Sequence, residues 1–142
     1  MVIALAVLLR AACPRAMRVL AAPFGVRQDE SNEVQPDVLV ARYADLADRC
    51  LPVAPPLAVE VISPYSRLRD RELKKAFYER WGVPRYWLVD PDRTAPSLTV
   101  HARTDAGTFE RRAQIEGTDG YDADEPFPVR GVPDELVAGL RP

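Results

Sequence analysis

Apolar residues along the chain follow two repeats, one typical of helices and one typical of strands. The helical repeat predicts helices at residues 2–13, at residues 68–81 and from Pro133 onward. Alternating or nearly continuous apolar runs predict strands at residues 17–28 (with a proline break), 33–41, 57–62, 85–90, 97–103 and 108–116, and a short one before Pro133. This order of elements predicts a mixed α/β (α+β) fold in which helices flank a central sheet.

The predicted helix at residues 68–81 turns one of its two lysines toward the core. At about 100° per residue, Lys74 lies within about 60° of aromatic residues of the same helix, whereas Lys75 points toward polar neighbours. An ammonium group among aromatic side chains needs a partner, so Lys74 is a candidate functional residue. The alternative is a lysine that reaches solvent and pairs with Asp70, four residues earlier.

Two carboxylates interrupt the predicted strands. Asp37 follows Pro36, and Glu60 lies inside the apolar run at residues 57–62. A charged group in an apolar interior costs several kcal/mol unless it is paired or binds a metal. Two alternatives stay open from the residues alone: Asp37 also suits the start of a strand, and Glu60 also suits a structural ion pair.

Asp37, Glu60 and Lys74 together suggest a divalent-cation site that acts on a phosphodiester. Mg²⁺ and Mn²⁺ prefer oxygen ligands and retain several waters. Two carboxylates and a backbone carbonyl, for which Val61 is the candidate, leave positions for water and a phosphate oxygen. The cation would acidify water and neutralise charge, and Lys74 would orient or activate the attacking water.

The composition is that of an ordinary globular protein with an uneven charge distribution. The chain has 142 residues, of which 47% are hydrophobic and 28% charged, and we expect one domain over residues 1–142. A net charge of −2 argues against non-specific coating of nucleic acid. Residues 67–85, however, carry seven basic and three acidic side chains, a surplus of four positive charges. Arg67, Arg69 and Arg71 are therefore candidates for contacting phosphates; the alternative is a solvated helix face.

Other chemistries find little support in the sequence. His101 is the only histidine and is predicted to lie in a surface hairpin around residues 105–107, which argues against a serine triad or a histidine metal cluster. Cys13 and Cys50 are too few for a zinc site or a disulfide framework, so a reducing, cytoplasmic location is expected. The sequence has no glycine-rich phosphate-binding motif.

The apolar start of the chain requires a separate interpretation. It is too short to span a bilayer and lacks the positive region of a signal peptide, so residues 2–13 are expected to form a buried helix and no membrane association is expected. Met1 offers no side chain to cap that helix. This predicts that an upstream portion of the domain is missing.

Three segments occur in order along the chain: VQPDVLVARYADL, PPLAVEVISPYSRLRDRELKKAFYERWGVPRYWLVDPD and PSLTVHAR. Together they resemble the Uma-two family of endonucleases, in the PD-(D/E)XK, restriction-endonuclease-like superfamily, over about residues 20–140. The resemblance implies a restriction-endonuclease-like mixed sheet flanked by helices. It also implies that Asp37 and Glu60 bind the metal and that DNA cleavage depends on a divalent cation.

Two positions differ from what the superfamily and family usually have. The superfamily's lysine commonly follows the second acid by two residues, where this chain has Ile62. In the Uma-two family it lies on the following helix, at the position that Lys74 occupies. Family members also usually begin with an E-x-x-x-G hairpin and a histidine, which this sequence lacks, in line with N-terminal truncation.

The sequence therefore predicts a cytoplasmic, Mg²⁺- or Mn²⁺-dependent endonuclease acting on DNA, with a homodimer as one way of cutting two strands. The first alternative is a truncated, catalytically silent module that binds nucleic acid or a protein partner. The second is a structural protein in which the three polar residues form a buried salt-bridge network.

Overall fold

A six-stranded mixed sheet forms the centre of the fold, with helices on both of its faces. The computed structural model describes residues 1–140. Its helices are α1 (Val2–Ala12), α2 (Leu68–Trp81) and α3 (Pro133–Val137), with short 3₁₀ turns at Tyr43–Asp45 and Ala138–Leu140. Its strands are β1 (Met17–Ala21), β2 (Gly25–Asp29), β3 (Asn32–Val34), β4 (Val38–Arg42), β5 (Cys50–Leu51), β6 (Leu57–Val61), β7 (Arg85–Asp90), β8 (Ser97–Arg103), β9 (Phe109–Glu116), β10 (Tyr121–Ala123) and β11 (Val129–Gly131).

The strand order of the central sheet is β1-β4-β6-β7-β8-β9. All neighbours are antiparallel except β6 and β7, which are parallel. Parallel neighbours need a long crossover, and α2 supplies it between β6 and β7. The predicted central mixed sheet flanked by helices is confirmed.

One face of the sheet carries the larger apolar core. Alternate residues of the central strands point to this face, where they pack under α1, α3 and the β10–β11 hairpin. This core includes Leu5 and Leu9 of α1, Val38 and Val40 of β4, and Trp87 and Val89 of β7.

Helix α2 packs on the opposite face, and the other set of alternate strand residues lies beneath it. Tyr78 of the helix contacts a cluster formed with Ala58 and Tyr86. A small sheet, in the order β3-β2-β5, covers Leu39 and Ala41 on the same side. Glu60 therefore points toward α2, because it alternates with Val59, which faces the larger core.

The predicted helix at residues 68–81 is confirmed at both ends. Gly82 follows it in the left-handed region at φ 91°, where a residue without Cβ is favoured, and its N–H caps the helix by donating to backbone carbonyls. The predicted strand at residues 85–90 is also confirmed. So is the hairpin around residues 105–107.

Two predicted strands are each divided by a proline. Residues 17–28 form β1 and β2, which belong to different sheets on either side of Pro23. Residues 33–41 divide into the end of β3 and most of β4 around Pro36. Proline donates no backbone hydrogen bond, so a ladder ends where it occurs. The short strands β5 and β10 were not predicted, since two or three residues carry no readable alternation.

The prediction that the first helix is buried is only half right. Leu5 and Leu9 are fully buried against the sheet, but Ile3 is 79% exposed and Val7 64% exposed. Helix α1 carries apolar side chains on most of its sides, but the layer beneath it covers only one side.

The predicted surface position of His101 is wrong. The residue lies on β8 in the interior of the sheet, 7% exposed, with its ring 5.6 Å from that of Tyr86 and 6.1 Å from that of Phe109. The hairpin turn is solvent-exposed, but His101 lies several residues from it, on the face covered by α2.

Candidate active site

The three residues singled out from the sequence meet beside α2. Glu60 lies on β6, Asp37 directly precedes β4, and Lys74 lies in the middle of α2. All three line one cavity of about 290 Å³, together with Val61. The fold thus brings together three residues that are spread over the chain, since Asp37 and Lys74 are 37 positions apart in the sequence.

Asp37 is held by the edge of the neighbouring strand. The backbone N–H of Val61 donates to Oδ2 of Asp37 over 2.7 Å. Pairing of β4 with β6 ends at Val38 and Val59, so Val61 lies beyond the ladder and its N–H is taken by a side chain. This bond uses one of about four lone-pair positions of the carboxylate. Asp37 is fixed in place and keeps acceptor capacity for a further ligand.

Glu60 is held by two side chains of α2. Its carboxyl group is buried, with only 7% of the residue exposed. The hydroxyl of Tyr78 donates to Oε1 over 2.6 Å, and the ammonium of Lys74 donates to Oε2 over 3.1 Å. Lys74 and Tyr78 are four residues apart and share a face of the helix, so one turn of α2 positions both oxygens.

The surroundings of Glu60 favour its protonated form. Burial raises the pKa of Glu60 to about 7, and the negative charge of Asp37 adds to the rise; the hydrogen bond from Tyr78 and the charge of Lys74 oppose it. Burial, followed by the charge of Glu60, raises the pKa of the Tyr78 phenol, so this hydroxyl stays protonated and donates. A buried carboxyl group with a raised pKa beside a second carboxylate is typical of functional sites.

Glu60 should make the cation-free protein lose stability as the pH rises. In the unfolded chain its pKa is near the ordinary 4.5, and in the folded protein it is about 7. The folded state therefore retains a proton that the unfolded state has lost, and this contribution is full below pH 4.5 and lost by about pH 7. We expect a loss of about 3 kcal/mol in the free energy of unfolding. Denaturant unfolding of wild type and Glu60→Gln across this range, in EDTA, checks the difference; parallel pH profiles would contradict it.

The donor set suits a hard divalent cation that retains water. Asp37 and Glu60 offer carboxylate oxygens, and Val61, past the β4–β6 ladder, lines the same cavity. Within residues 1–140, no three His, Cys, Asp or Glu side chains are grouped closely enough to hold a metal by themselves. Mg²⁺ is commonly bound by only one or two carboxylates, with waters and substrate oxygens completing the shell. A cation here would oppose the effect of burial, which raises the pKa of Glu60, and would offset the smaller contribution of the Asp37 charge.

The position of Lys74 distinguishes between the two interpretations of this residue. Its side chain is 39% exposed, and its ammonium pairs with Glu60. Asp70, the partner in the alternative interpretation, lines the same cavity, but the ion pair is made with Glu60. Lys75 lies on another side of the helix and does not line this cavity.

The three candidate arginines have different positions. Arg71 lines the cavity and is half-buried. Arg67 immediately precedes α2 and Arg69 lies in its first turn; both are exposed and neither lines the cavity. Only Arg71 is therefore close to the acidic residues.

Tyr78 and two serines belong to the site but were not predicted. Tyr78 is one of the aromatic residues on the same side of the helix as Lys74, and its i+4 spacing from that lysine is the sequence signal that could have found it. Ser63 and Ser66 line the cavity beyond the end of β6. The Ser66 hydroxyl accepts from the N–H of Ser63 and donates to its carbonyl, which fixes the turn. A short Ser-Pro turn gives no sequence signal for a site.

Comparison with known proteins identifies the relatives of this chain. The family described as "Putative restriction endonuclease" (Uma2) matches residues 1–133. The chain belongs to the Uma2 family. A comparison with curated proteins finds no match.

A solved structure supports the fold of this Uma2 protein. It is titled a "putative nuclease belonging to DUF820" and comes from Anabaena variabilis ATCC 29413. The two chains are similar with a TM-score of 0.64 and 16% sequence identity, over 99% of this chain and 77% of the other. At this identity the likeness is evidence for the fold alone. Separately, none of the helices in residues 1–140 is long and apolar enough to cross a membrane.

Proposed function

We propose that this Uma2 protein is a divalent-metal-dependent endonuclease that hydrolyses DNA phosphodiester bonds. The observation that carries the proposal is the buried Glu60 carboxyl, which faces Asp37 and Lys74 in an open cavity. A stability role alone does not account for it, because a buried carboxylate with a partly exposed lysine as its ion-pair partner is a poor stabiliser. The family's description, "Putative restriction endonuclease", supports phosphodiester hydrolysis as the reaction class and DNA as the substrate.

Mg²⁺ or Mn²⁺ would be held by the carboxylates of Asp37 and Glu60 and by the carbonyl of Val61. We assign Asp37 and Glu60 to the acidic positions of the PD-(D/E)XK pattern. When bound, the cation supplies an acidified water and offsets the negative charge of the phosphodiester. Glu60, with a pKa of about 7, is then ionised at neutral pH because a positive charge favours its anionic form.

The protein's own side chains position the reacting groups. Tyr78 fixes the Glu60 carboxyl through Oε1 and leaves Oε2 to Lys74. The partly exposed ammonium of Lys74 reaches the cavity, where it can orient an attacking water and stabilise charge that develops on the phosphate. Arg71, on the cavity wall, is placed to pair with a phosphate oxygen.

Both cysteines of the chain, Cys13 and Cys50, are free thiols. Free thiols persist in reducing compartments, where disulfides are rare. We therefore include a cytoplasmic location in the proposal.

A plasmid-cleavage assay tests the proposed function. Wild type is expected to nick or linearise plasmid DNA in millimolar Mg²⁺ or Mn²⁺ and to leave it intact in EDTA. Asp37→Asn should remove the activity, because an amide is a far weaker cation ligand than a carboxylate. Asp48→Asn, a matched change at an exposed loop residue, should leave it unchanged.

The same assay distinguishes the alternative of a catalytically silent module. A silent module would bind oligonucleotides without cleaving plasmid in either cation. That result, obtained with folded wild type, would overturn the nuclease proposal.

A further inference from the structure

A second groove lies on another side of α2, and two of its basic side chains, Lys75 and Arg111, have no part in the proposed mechanism. Its volume is about 210 Å³. Helix α2 contributes Glu72 and Lys75 to this groove, whereas Asp70 and Lys74 face the first cavity. The central sheet contributes Arg111 from β9. One helix thus separates an acidic cavity from a basic groove.

The cavity and the groove are adjacent. Arg71, Tyr86 and Leu88 line both of them. Tyr86 and Leu88 are alternate residues of β7 beneath the helix, and Arg71 comes from the first turns of α2. An extended ligand that leaves the first cavity therefore meets the groove at Arg71.

The groove carries a positive potential. Arg71, Lys75 and Arg111 line it with one carboxylate, Glu72, which leaves a surplus of two positive charges. The same charges act on the histidine in the groove wall: the pKa of His101 is lowered first by burial, then by Lys75, with a smaller contribution from Arg111. Such a surface attracts anions.

Two side chains that line the groove each carry a buried polar atom without a hydrogen-bond partner among residues 1–140. These atoms are Nε of Arg71 and Nδ1 of His101. A buried donor such as Nε of Arg71 carries a desolvation penalty, and a turn of the guanidinium toward an acceptor oxygen in the groove would relieve it. Arg111 is already oriented, since it donates to Oε1 of Gln114 over 2.8 Å.

We propose that this groove binds a second phosphate of the DNA strand whose scissile phosphate occupies the first cavity. Lys75 and Arg111 pair with oxygens of the second phosphate, and Arg71 lies between the two phosphates. The inference rests on the proposed nuclease function for the first phosphate, and it assigns the groove a role in holding the strand. A free phosphate ion has the same chemistry, and the test separates these two sources.

Oligonucleotide binding in EDTA tests the groove without requiring cleavage. The probe is a fluorescein-labelled 12-base-pair duplex, and its affinity for the full chain is measured by anisotropy at several salt concentrations. Lys75→Gln combined with Arg111→Gln is expected to raise the Kd about tenfold and to lower the salt slope by about one, as loss of one phosphate contact should.

The control is Arg80→Gln combined with Arg15→Gln. Both arginines are exposed, neither lines the groove, and the pair makes the same change in net charge. This variant is expected to change the Kd less than threefold. Lys75→Arg, which retains the charge, should bind like wild type. Unchanged melting temperatures in both double variants would show that the fold is intact.

Three results would overturn the inference. The two double variants could weaken binding equally, which would indicate a general charge effect. Wild type could fail to bind the duplex. The Lys75→Gln and Arg111→Gln double variant could weaken the binding of inorganic phosphate while leaving the Kd of the duplex unchanged, which would indicate a free-anion site. The nuclease proposal is judged separately. If wild type cleaves plasmid but the two double variants bind the duplex equally, only the groove inference is overturned. If wild type binds the duplex through the groove but does not cleave plasmid, only the nuclease proposal is overturned.

Discussion

Replacing Glu60 with glutamine is expected to lower the rate of cation-dependent DNA cleavage by about a thousandfold, equivalent to about 4 kcal/mol of activation free energy. The amide has nearly the same shape and still accepts from Tyr78, so the loss would come from the missing charge rather than from unfolding. Without that charge, Asp37 is the one carboxylate left of the two that we assign to the cation. Plasmid cleavage at saturating Mn²⁺ measures the effect.

The control for this prediction is Glu30→Gln, which makes the same chemical change at an exposed position. It should cleave like wild type. The account would be contradicted if Glu60→Gln retained more than a tenth of the wild-type rate, because the buried carboxylate would then not be needed for the chemistry. Circular dichroism of both variants confirms that the comparison is between folded proteins.

Replacing Lys74 with methionine is expected to reduce the cleavage rate at saturating cation by about a hundredfold, the lower range for a positioned proton-transfer or charge-stabilising group. Cation affinity should stay within about tenfold, since two effects oppose each other. The ammonium competes with a cation for Oε2 of Glu60, but its charge also lowers the pKa of Glu60. Rates and cation titrations at pH 8.5 separate the two quantities.

Arg80→Met is the matched control, because Arg80 is an exposed cation of the same helix that does not line the cavity. It should leave both rate and cation affinity unchanged. If Lys74→Met instead weakened cation binding more than a hundredfold and recovered the full rate at high Mn²⁺, Lys74 would act only by keeping Glu60 ionised. A direct role in the reaction would then be wrong.

Two residues of the candidate site, Glu60 and Lys74, could be predicted because each breaks a local pattern. Glu60 occurs inside an apolar strand, and Lys74 lies on the aromatic side of a helix whose bounds the sequence gives correctly. Helical periodicity and the glycine at its end are local properties, so they survive folding unchanged. The sequence predicts that Glu60 and Lys74 belong to one site, but it does not predict the contact between them. That contact depends on the strand order, which is a tertiary property.

The positions that could not be predicted depend on which strands become neighbours. The sequence places His101 in a hairpin, yet its strand, β8, lies between β7 and β9 in the sheet. The side chain of His101 is therefore buried on the face that α2 covers. The basic groove also depends on this order, because Lys75 of α2 and Arg111 of β9 are far apart in sequence and line one groove. Sequence periodicity gives the face of each residue but not the partner strand.

The most direct test of the account is the melting temperature of wild type and Glu60→Gln with and without millimolar Mn²⁺. A ligand at one hundred times its Kd adds about 2.7 kcal/mol of stability, which raises the melting temperature by several degrees in a chain of this size. The account predicts this rise in wild type at pH 7.5 and none in Glu60→Gln. Equal shifts in the two proteins, or no shift in wild type, would contradict a cation site containing Glu60.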